Sequence, residues 1–265
     1  MTINLFTVCN FNYIDKFNIF FKSYIVNELN KDLVKYNHFF IYKDDSDLEN
    51  IKNYIKNYFE GYKNIINIIY VKYPRTKTKV AFKNYCCHFR FEGFNILSNL
   101  FNDSILFYCD IDAVILNSLK KNINLLSQDY YFFIRKNIKT NEIINLTNID
   151  IKNKNIDIVI KGWRSSILSG VIVIKNNNNG KKLINELNKK INSVEDKNEW
   201  FNDQIIMDKI FFDNKFKIGV LDRIYFNLLL EENSIIGLCK GKTYPDTRPE
   251  WISKVKGIED KFNKN

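Results

Sequence analysis

Residues 105–116 read ILFYCDIDAVIL. Five mostly apolar residues lead to Asp110, one residue intervenes, Asp112 follows, and apolar residues resume. An extended segment alternates sides, so the two carboxylates are expected on one side of the chain. Like charges repel there, and burying either costs solvation. Such a pair persists either at an edge of the fold in water or around something positive.

The segments upstream help to choose. Residues 3–9 (INLFTVC), 38–42 (HFFIY) and 65–71 (IINIIYV) read as strands, and 105–109 as a fourth. Between them, the apolar spacing predicts helices over 13–30, 47–60 and 79–101. Strand and helix alternate, which implies an α/β fold with a parallel sheet. In such sheets ligands bind beyond the carboxyl ends of the strands. Asp110 and Asp112 lie at such an end, so the edge reading weakens. Two oxygen ligands on a loop suit a hard divalent cation, Mn²⁺ or Mg²⁺, whose other ligands are water and substrate phosphates. That chemistry points to a nucleotide diphosphate.

The second half is less regular. Residues 130–134 and 167–174 read as strands, 176–180 as a turn, 181–192 and 200–211 as helices. Segments 217–227 and 234–244 finish the chain's strand pattern, and 137–162 reads as an insertion, hairpin or solvated loop. No repeat or linker divides the 265 residues, so a single domain over 1–265 is expected.

Composition narrows the function classes. Hydrophobic content of 45% and charged content of 26% describe an ordinary soluble chain. No apolar run approaches the roughly 20 residues of a spanning helix, and no leader pattern opens the sequence; a cytoplasmic location is expected. The five cysteines are odd in number, with Cys86 and Cys87 adjacent and no C-x-x-C pair, which argues against a disulfide framework and a zinc ribbon. The formal charge is +10, yet Lys, Asn, Ile, Phe and Tyr are all over-used, so the charge reads as compositional bias rather than a nucleic-acid surface. No nucleic-acid partner is expected. An anionic substrate, a lipid-linked acceptor or a peripheral contact with an anionic membrane can still use the field.

A hydrophobic run, D-x-D and a second hydrophobic run, placed after three strand–helix units, resemble a GT-A glycosyltransferase. The motif order is similar to glycosyltransferase family 8, the glycogenin- and galactosyltransferase-like branch, over most of the chain. A basic residue in the helix before D-x-D is matched by Arg90; a later Ser-Gly strand by Leu168-Ser169-Gly170-Val171. An Asp-Gln pair opening a helix is matched by Asp203-Gln204, and a strand segment ending in Asn by Leu221 to Asn227. A glycine- and lysine-containing terminal loop is matched by Lys240-Gly241-Lys242.

The resemblance implies a Rossmann-like nucleotide-diphospho-sugar transferase domain with a mixed, mostly parallel sheet. Residues 1–116 would form its nucleotide-binding half and 117–265 its acceptor-binding half. It implies a nucleotide-sugar donor, such as a UDP-sugar, and a glycan, lipid-linked or protein acceptor. Asp110 and Asp112 would hold Mn²⁺ or Mg²⁺. Val8, Asn10 and Tyr13 at the first strand end, with Lys83, Arg90, Asp110, Ser169, Gly170, Lys240, Gly241 and Lys242, would contact the donor. Asp203, Gln204 and Arg90 would serve catalysis. The family's C-terminal histidine ligand has no counterpart, since His38 and His88 are the only histidines; water, Cys239 or another carboxylate would complete the metal sphere.

The residues also stand on their own. Lys79, Lys83 and Arg90 share a helical stripe, read either as a basic ligand face or as a solvated one. Asp203 suits an acid–base role or a helix N-cap. Trp163, Trp200 and Trp251 read as core or surface anchors, or as a sugar platform. Two rivals remain: a haloacid-dehalogenase-type phosphatase, which DIDAV fits locally, and a non-catalytic basic carbohydrate- or nucleic-acid-binding module. The phosphatase motif normally lies on the first strand, and its late G-D-x-x-x-D motif is absent here. A sugar-1-phosphate nucleotidyltransferase would need glycines after the first strand, and FTVCNFNYI has none.

Overall fold

The computed structural model describes residues 1–28, 31–74, 79–119, 132–136, 167–193, 202–212, 216, 218–221, 233–238 and 249–264. Strands β1 (Ile3–Asn10), β2 (Val34–Tyr42), β3 (Ile66–Lys72) and β4 (Ile105–Cys109) alternate with helices α1 (Ile14–Asn27), α2 (Asp45–Phe59) and α3 (Lys79–Leu100). After β4 come β5 (Ala113–Ile115), β6 (Phe132–Lys136), β7 (Ile167–Lys175), α4 (Asn178–Asn192), α5 (Asn202–Phe212), β8 (Ile218–Val220), β9 (Ile236–Leu238) and α6 (Pro249–Phe262).

The main sheet runs β3-β2-β1-β4-β7-β6-β8. The first four strands are parallel, as βα connections require; β7 is antiparallel to β4 and β6, and β6 and β8 are parallel. Side-chain alternation splits the core into two layers. Leu5, Cys9 and Phe107 face a cluster with Phe17, Phe20 and Phe21 of α1 and Ile51 of α2. Phe6, Val8 and Leu106 face the other, with Phe94 of α3, Leu183 of α4 and Ile206 of α5. β2 begins four residues before the predicted start, since Tyr36, Asn37 and His38 are paired inside the sheet rather than exposed as a turn.

Inside the first layer, Thr7 Oγ1, Tyr36 OH and His38 Nδ1 share hydrogen bonds, and Cys9 Sγ lies 3.2 Å from His38 Nε2. Burial holds the His38 pKa well below its ordinary value.

The second sheet joins β5 to β9, with Ala113 opposite Leu238. Three polar side chains of α1 and its end fix the β5 segment. Ser23 Oγ accepts from Ile115 N at 2.9 Å, Asn27 Nδ2 donates to Ile115 O at 2.8 Å, and fully buried Glu28 accepts from Ser118 Oγ and Leu119 N at 2.6 and 2.8 Å.

One boundary and one helix correct the sequence reading. Residues 176–180 are not a turn ahead of the helix: Asn177 is the N-cap, its side chain accepts from Gly180 N at 2.9 Å, and α4 already starts at Asn178. Only glycine fits at 180, because a Cβ there would lie 1.9 Å from Lys175 O. The C-terminal helix α6 was not anticipated. Its signal was present as Trp251, Val255, Ile258 and Phe262 at helical spacing, and Trp251 and Ile258 are buried against Val114 and Leu116.

His38 yields a pH prediction. A histidine whose folded pKa is lowered leaves the unfolded chain binding more protons below about pH 6.5, so stability falls as pH drops through that value. Unfolding free energies from denaturant melts at pH 7.5 and 5.5 should differ by about 1.4 kcal/mol per pH unit below 6.5. His38→Gln should remove that part of the slope, and an unchanged slope would refute the assignment.

Candidate active site

The chain passes from β1 through β2 to β3 on one side, then returns to place β4 on the other side of β1. The crevice beyond the carboxyl ends of β1 and β4 is therefore the topological switch point, where ligands of open α/β sheets bind. Asn10 ends β1, and Asp110 follows β4.

The side chain at the centre of this crevice is Arg90 of α3, 5% exposed. Its Nη1 donates to Ser169 O at 2.6 Å and its Nε to Cys87 O at 2.6 Å. The same Nη1 lies 3.5 Å from Asp110 Oδ1 and 3.4 Å from Asp203 Oδ2, and the guanidinium stacks 4.8 Å from the centre of the Tyr108 ring. Burial works against its charge, but Tyr108, Asp110 and Asp203 outweigh that and raise its pKa further. Tyr108 OH donates to Asp110 Oδ1 at 2.6 Å. Burial, opposed by Arg90 and aided by Asp110, holds that phenol's pKa well above its ordinary value, so it stays a donor.

β7 runs antiparallel to β4, so its early residues meet the end of β4. Asp110 N donates to Gly170 O at 2.8 Å. Gln204 Nε2 donates to Ser169 Oγ at 3.2 Å, tying α5 to the same strand. Arg90, Asp110, Ser169, Gly170, Asp203 and Gln204 thus converge as one constellation. Asp203 lies one residue inside α5 and is turned against Arg90, so pairing rather than capping describes it.

The other expected residues are distributed around it. Asn10 accepts from Asn12 N at 2.9 Å and donates from Nδ2 to Cys86 Sγ at 3.4 Å. Val8 is buried in the core, which confines any donor contact to its backbone. Tyr13 is 38% exposed beside the end of β1. Lys83 is exposed while Arg90 is buried, so these two positions of the expected basic stripe of α3 differ in depth. Lys240, Gly241 and Lys242 lie outside the described residues, as do Cys239, Trp163, Trp200 and residues 222–227. Tyr108 was missed by the sequence reading; its place two residues before Asp110, on the same side of the strand, was the available signal.

Asp112 is half-buried and opens onto a cleft of about 690 Å³, between the β4–β5 turn, Lys16 and Lys22 of α1, and Trp251 and Lys256 of α6. Among the described residues no group of three or more His, Cys, Asp or Glu side chains is placed to hold a metal. The donor set present, two carboxylates, has the hard-oxygen chemistry of Mn²⁺ or Mg²⁺ and fits a site completed by water and phosphate. Asp110 Oδ1 is already engaged by Tyr108 and Arg90, so a metal contact by this residue falls to Oδ2.

No protein-family model and no curated protein matches the sequence. Solved structures do match. Apo GlyE, a glycosyltransferase of Streptococcus pneumoniae TIGR4, superposes with a TM-score of 0.58 at 13% identity, covering all of this chain and 63% of GlyE. The galactosyltransferase LgtC, solved with donor and acceptor sugar analogues, gives 0.57 at 12% identity over 99% of this chain and 96% of LgtC. Mouse xyloside xylosyltransferase 1 gives 0.55 at 11% identity over 91% of this chain and 98% of that one. This chain therefore spans less than two thirds of GlyE but nearly all of the other two in length. At these identities the likeness establishes the fold: a mixed α/β, mostly parallel GT-A domain. Among the described residues no helix is long and apolar enough to cross a membrane.

The paired geometry sets a stability test. Asp203→Asn leaves Arg90 buried with one of its two carboxylates gone, which should cost about 3 kcal/mol. The urea midpoint of the variant measures this, and a loss below about 0.5 kcal/mol, the scale of ordinary surface changes, would show that the pair does not form.

Proposed function

We propose that this chain is a glycosyltransferase that moves a sugar from a nucleotide-diphosphate donor, a UDP-sugar, to an acceptor hydroxyl on a glycan, lipid-linked or protein molecule, with Mn²⁺ or Mg²⁺. The observation that carries the reading is the convergence of Arg90, Asp110, Ser169 and Asp203 at the switch point of a fold shared with glycosyltransferases. The motif layout supports the family 8 branch in particular.

In this reading Asn10 and Tyr13 receive the nucleoside at the end of β1, and Asp110 and Asp112 hold the cation. Bound there, a divalent ion supplies the charge that makes a diphosphate a good leaving group. Arg90 fixes the Asp110 carboxylate from below and presents the Ser169-Gly170 edge of β7 to the donor sugar. Lys240 and Lys242 close on the phosphates, with Gly241 allowing close backbone approach. Gln204, anchored on Ser169 Oγ, is aimed at the same edge. An LgtC variant carrying a Gln-to-Glu change was solved as an active-site mutant, which favours a site role for Gln204 here as well. Asp203 acts through Arg90, as a positioning group.

Asp112→Asn keeps shape and removes charge. It should leave folding intact and abolish the Mn²⁺-dependent part of UDP affinity, read by calorimetric titration with and without Mn²⁺. Metal-dependent affinity equal to wild type would end the metal role of Asp112. Replacing Lys240 and Lys242 together by Ala should weaken donor binding, and more so at low salt, where attraction is least screened; equal affinity at all salt concentrations would place both lysines outside the site.

A further inference from the structure

On the side of α3 away from Arg90, a second cavity of about 500 Å³ lies between the end of β3, α3 and the last turn of α4. Its volume falls in the roughly 300–1,000 Å³ range of small-molecule sites. Tyr85, His88 and Glu92 line it from α3, Asn188 and Asn192 from α4, and Tyr73 from the end of β3.

Tyr73 is the unusual member. The residue is only 6% exposed, yet among the described residues its buried hydroxyl has no hydrogen-bond partner. Its backbone N donates to Tyr42 O at 2.8 Å, and its ring packs edge-on against Phe82 and Tyr85, with centroids 4.8 and 5.0 Å apart. The phenol is therefore held in place rather than free to turn toward water. Burial and then Cys86 raise its pKa, so it remains a donor. A buried hydroxyl without a partner is destabilising unless something satisfies it.

The other polar groups show what that something is. Both N–H groups of Asn188 are spent on Phe91 O and Ile184 O, so its carbonyl oxygen is what it offers a ligand. Glu92 adds a carboxylate. No lysine or arginine lines the cavity among the described residues, although the chain carries +10 overall. The cavity thus presents acceptors in Asn188 and Glu92 and a donor in Tyr73 OH beside aromatic rings, with no lysine or arginine to hold a phosphate or carboxylate. A neutral sugar supplies the matching set: hydroxyls that both donate and accept, and an apolar ring face to lie on Tyr85.

We propose that this cavity is a binding site for a neutral saccharide, separate from the switch-point crevice. That it anchors the distal part of a glycan acceptor rests on the glycosyltransferase reading; that a saccharide binds does not.

The test is saturation-transfer NMR and calorimetry on the full chain with lactose, maltotriose, cellotriose and chitotriose, with and without UDP. At least one sugar should bind, and UDP should leave its affinity unchanged. Tyr73→Phe keeps the ring and should weaken binding roughly 3- to 10-fold, the value of one hydrogen bond. Asn192→Trp, at an exposed rim position, should block the cavity and abolish binding while the melting temperature stays near wild type. Failure of every sugar to bind, binding unaffected by both variants, displacement by UDP, or binding of spermidine in place of sugars would each overturn the proposal. Loss of UDP binding by wild type with saccharide binding intact would sink the donor reading and leave this one standing.

Discussion

The structure around the crevice depends on one buried guanidinium. Arg90 sits inside the protein with its charge intact, and an uncompensated ion there would cost several kcal/mol. The compensation comes from four elements at once: Cys87 O within α3, Asp110 after β4, Ser169 O on β7 and Asp203 on α5. The positions of these elements are therefore coupled through one group. The same arrangement explains why two carboxylates near a strand end are tolerated, since one of them is satisfied from within before any ligand arrives.

Much of this was legible in the sequence, and the reason is periodicity. The first four strands are short, mostly apolar runs and the helices between them carry apolar residues near helical spacing, so the parallel half of the sheet could be read directly. Arg90, Asp110, Ser169, Gly170, Asp203 and Gln204 were singled out by motif order as candidates, and the structure brings them into contact with one another. What could not be read is how they contact one another. Asp203 was read for an acid–base role, with a helix cap as the alternative, because sequence shows a carboxylate near a helix start and not the cation behind it. Lys83 and Arg90 looked alike on a helical stripe, and only the depth of α3 against the sheet separates them. Helix α6 went unread because its apolar positions are few and its remaining face is charged.

Polar groups organise the interior beyond the crevice. The Thr7, Tyr36, His38 and Cys9 network is closed within itself under α1, and places hydrogen bonds where an apolar core would have none. Ser23, Asn27 and Glu28 play a different part. They hold the backbone of Ile115 and Leu119, just past Asp112, and β5 in turn holds β9, whose last residue Leu238 lies opposite Ala113. Helix α1 thereby governs the geometry of a segment distant from it in sequence, and Asp112 inherits a fixed backbone on its downstream side.

The Arg90 contacts also bear on how the chain reaches its native state. Arg90 and Asp203 are separated by more than a hundred residues, and Arg90 and Ser169 by nearly eighty. Closing loops of that length is entropically slow, whereas the β1–α1–β2 and β2–α2–β3 units close locally. A desolvated guanidinium cannot wait long for its partners, so burial of α3 over the crevice and docking of β7 and α5 must occur nearly together. The parallel half of the sheet is built from such local units, whereas the contacts of Arg90 depend on distant ones. A chain released before α5 has been made would hold a native-like parallel sheet and an Arg90 still in water.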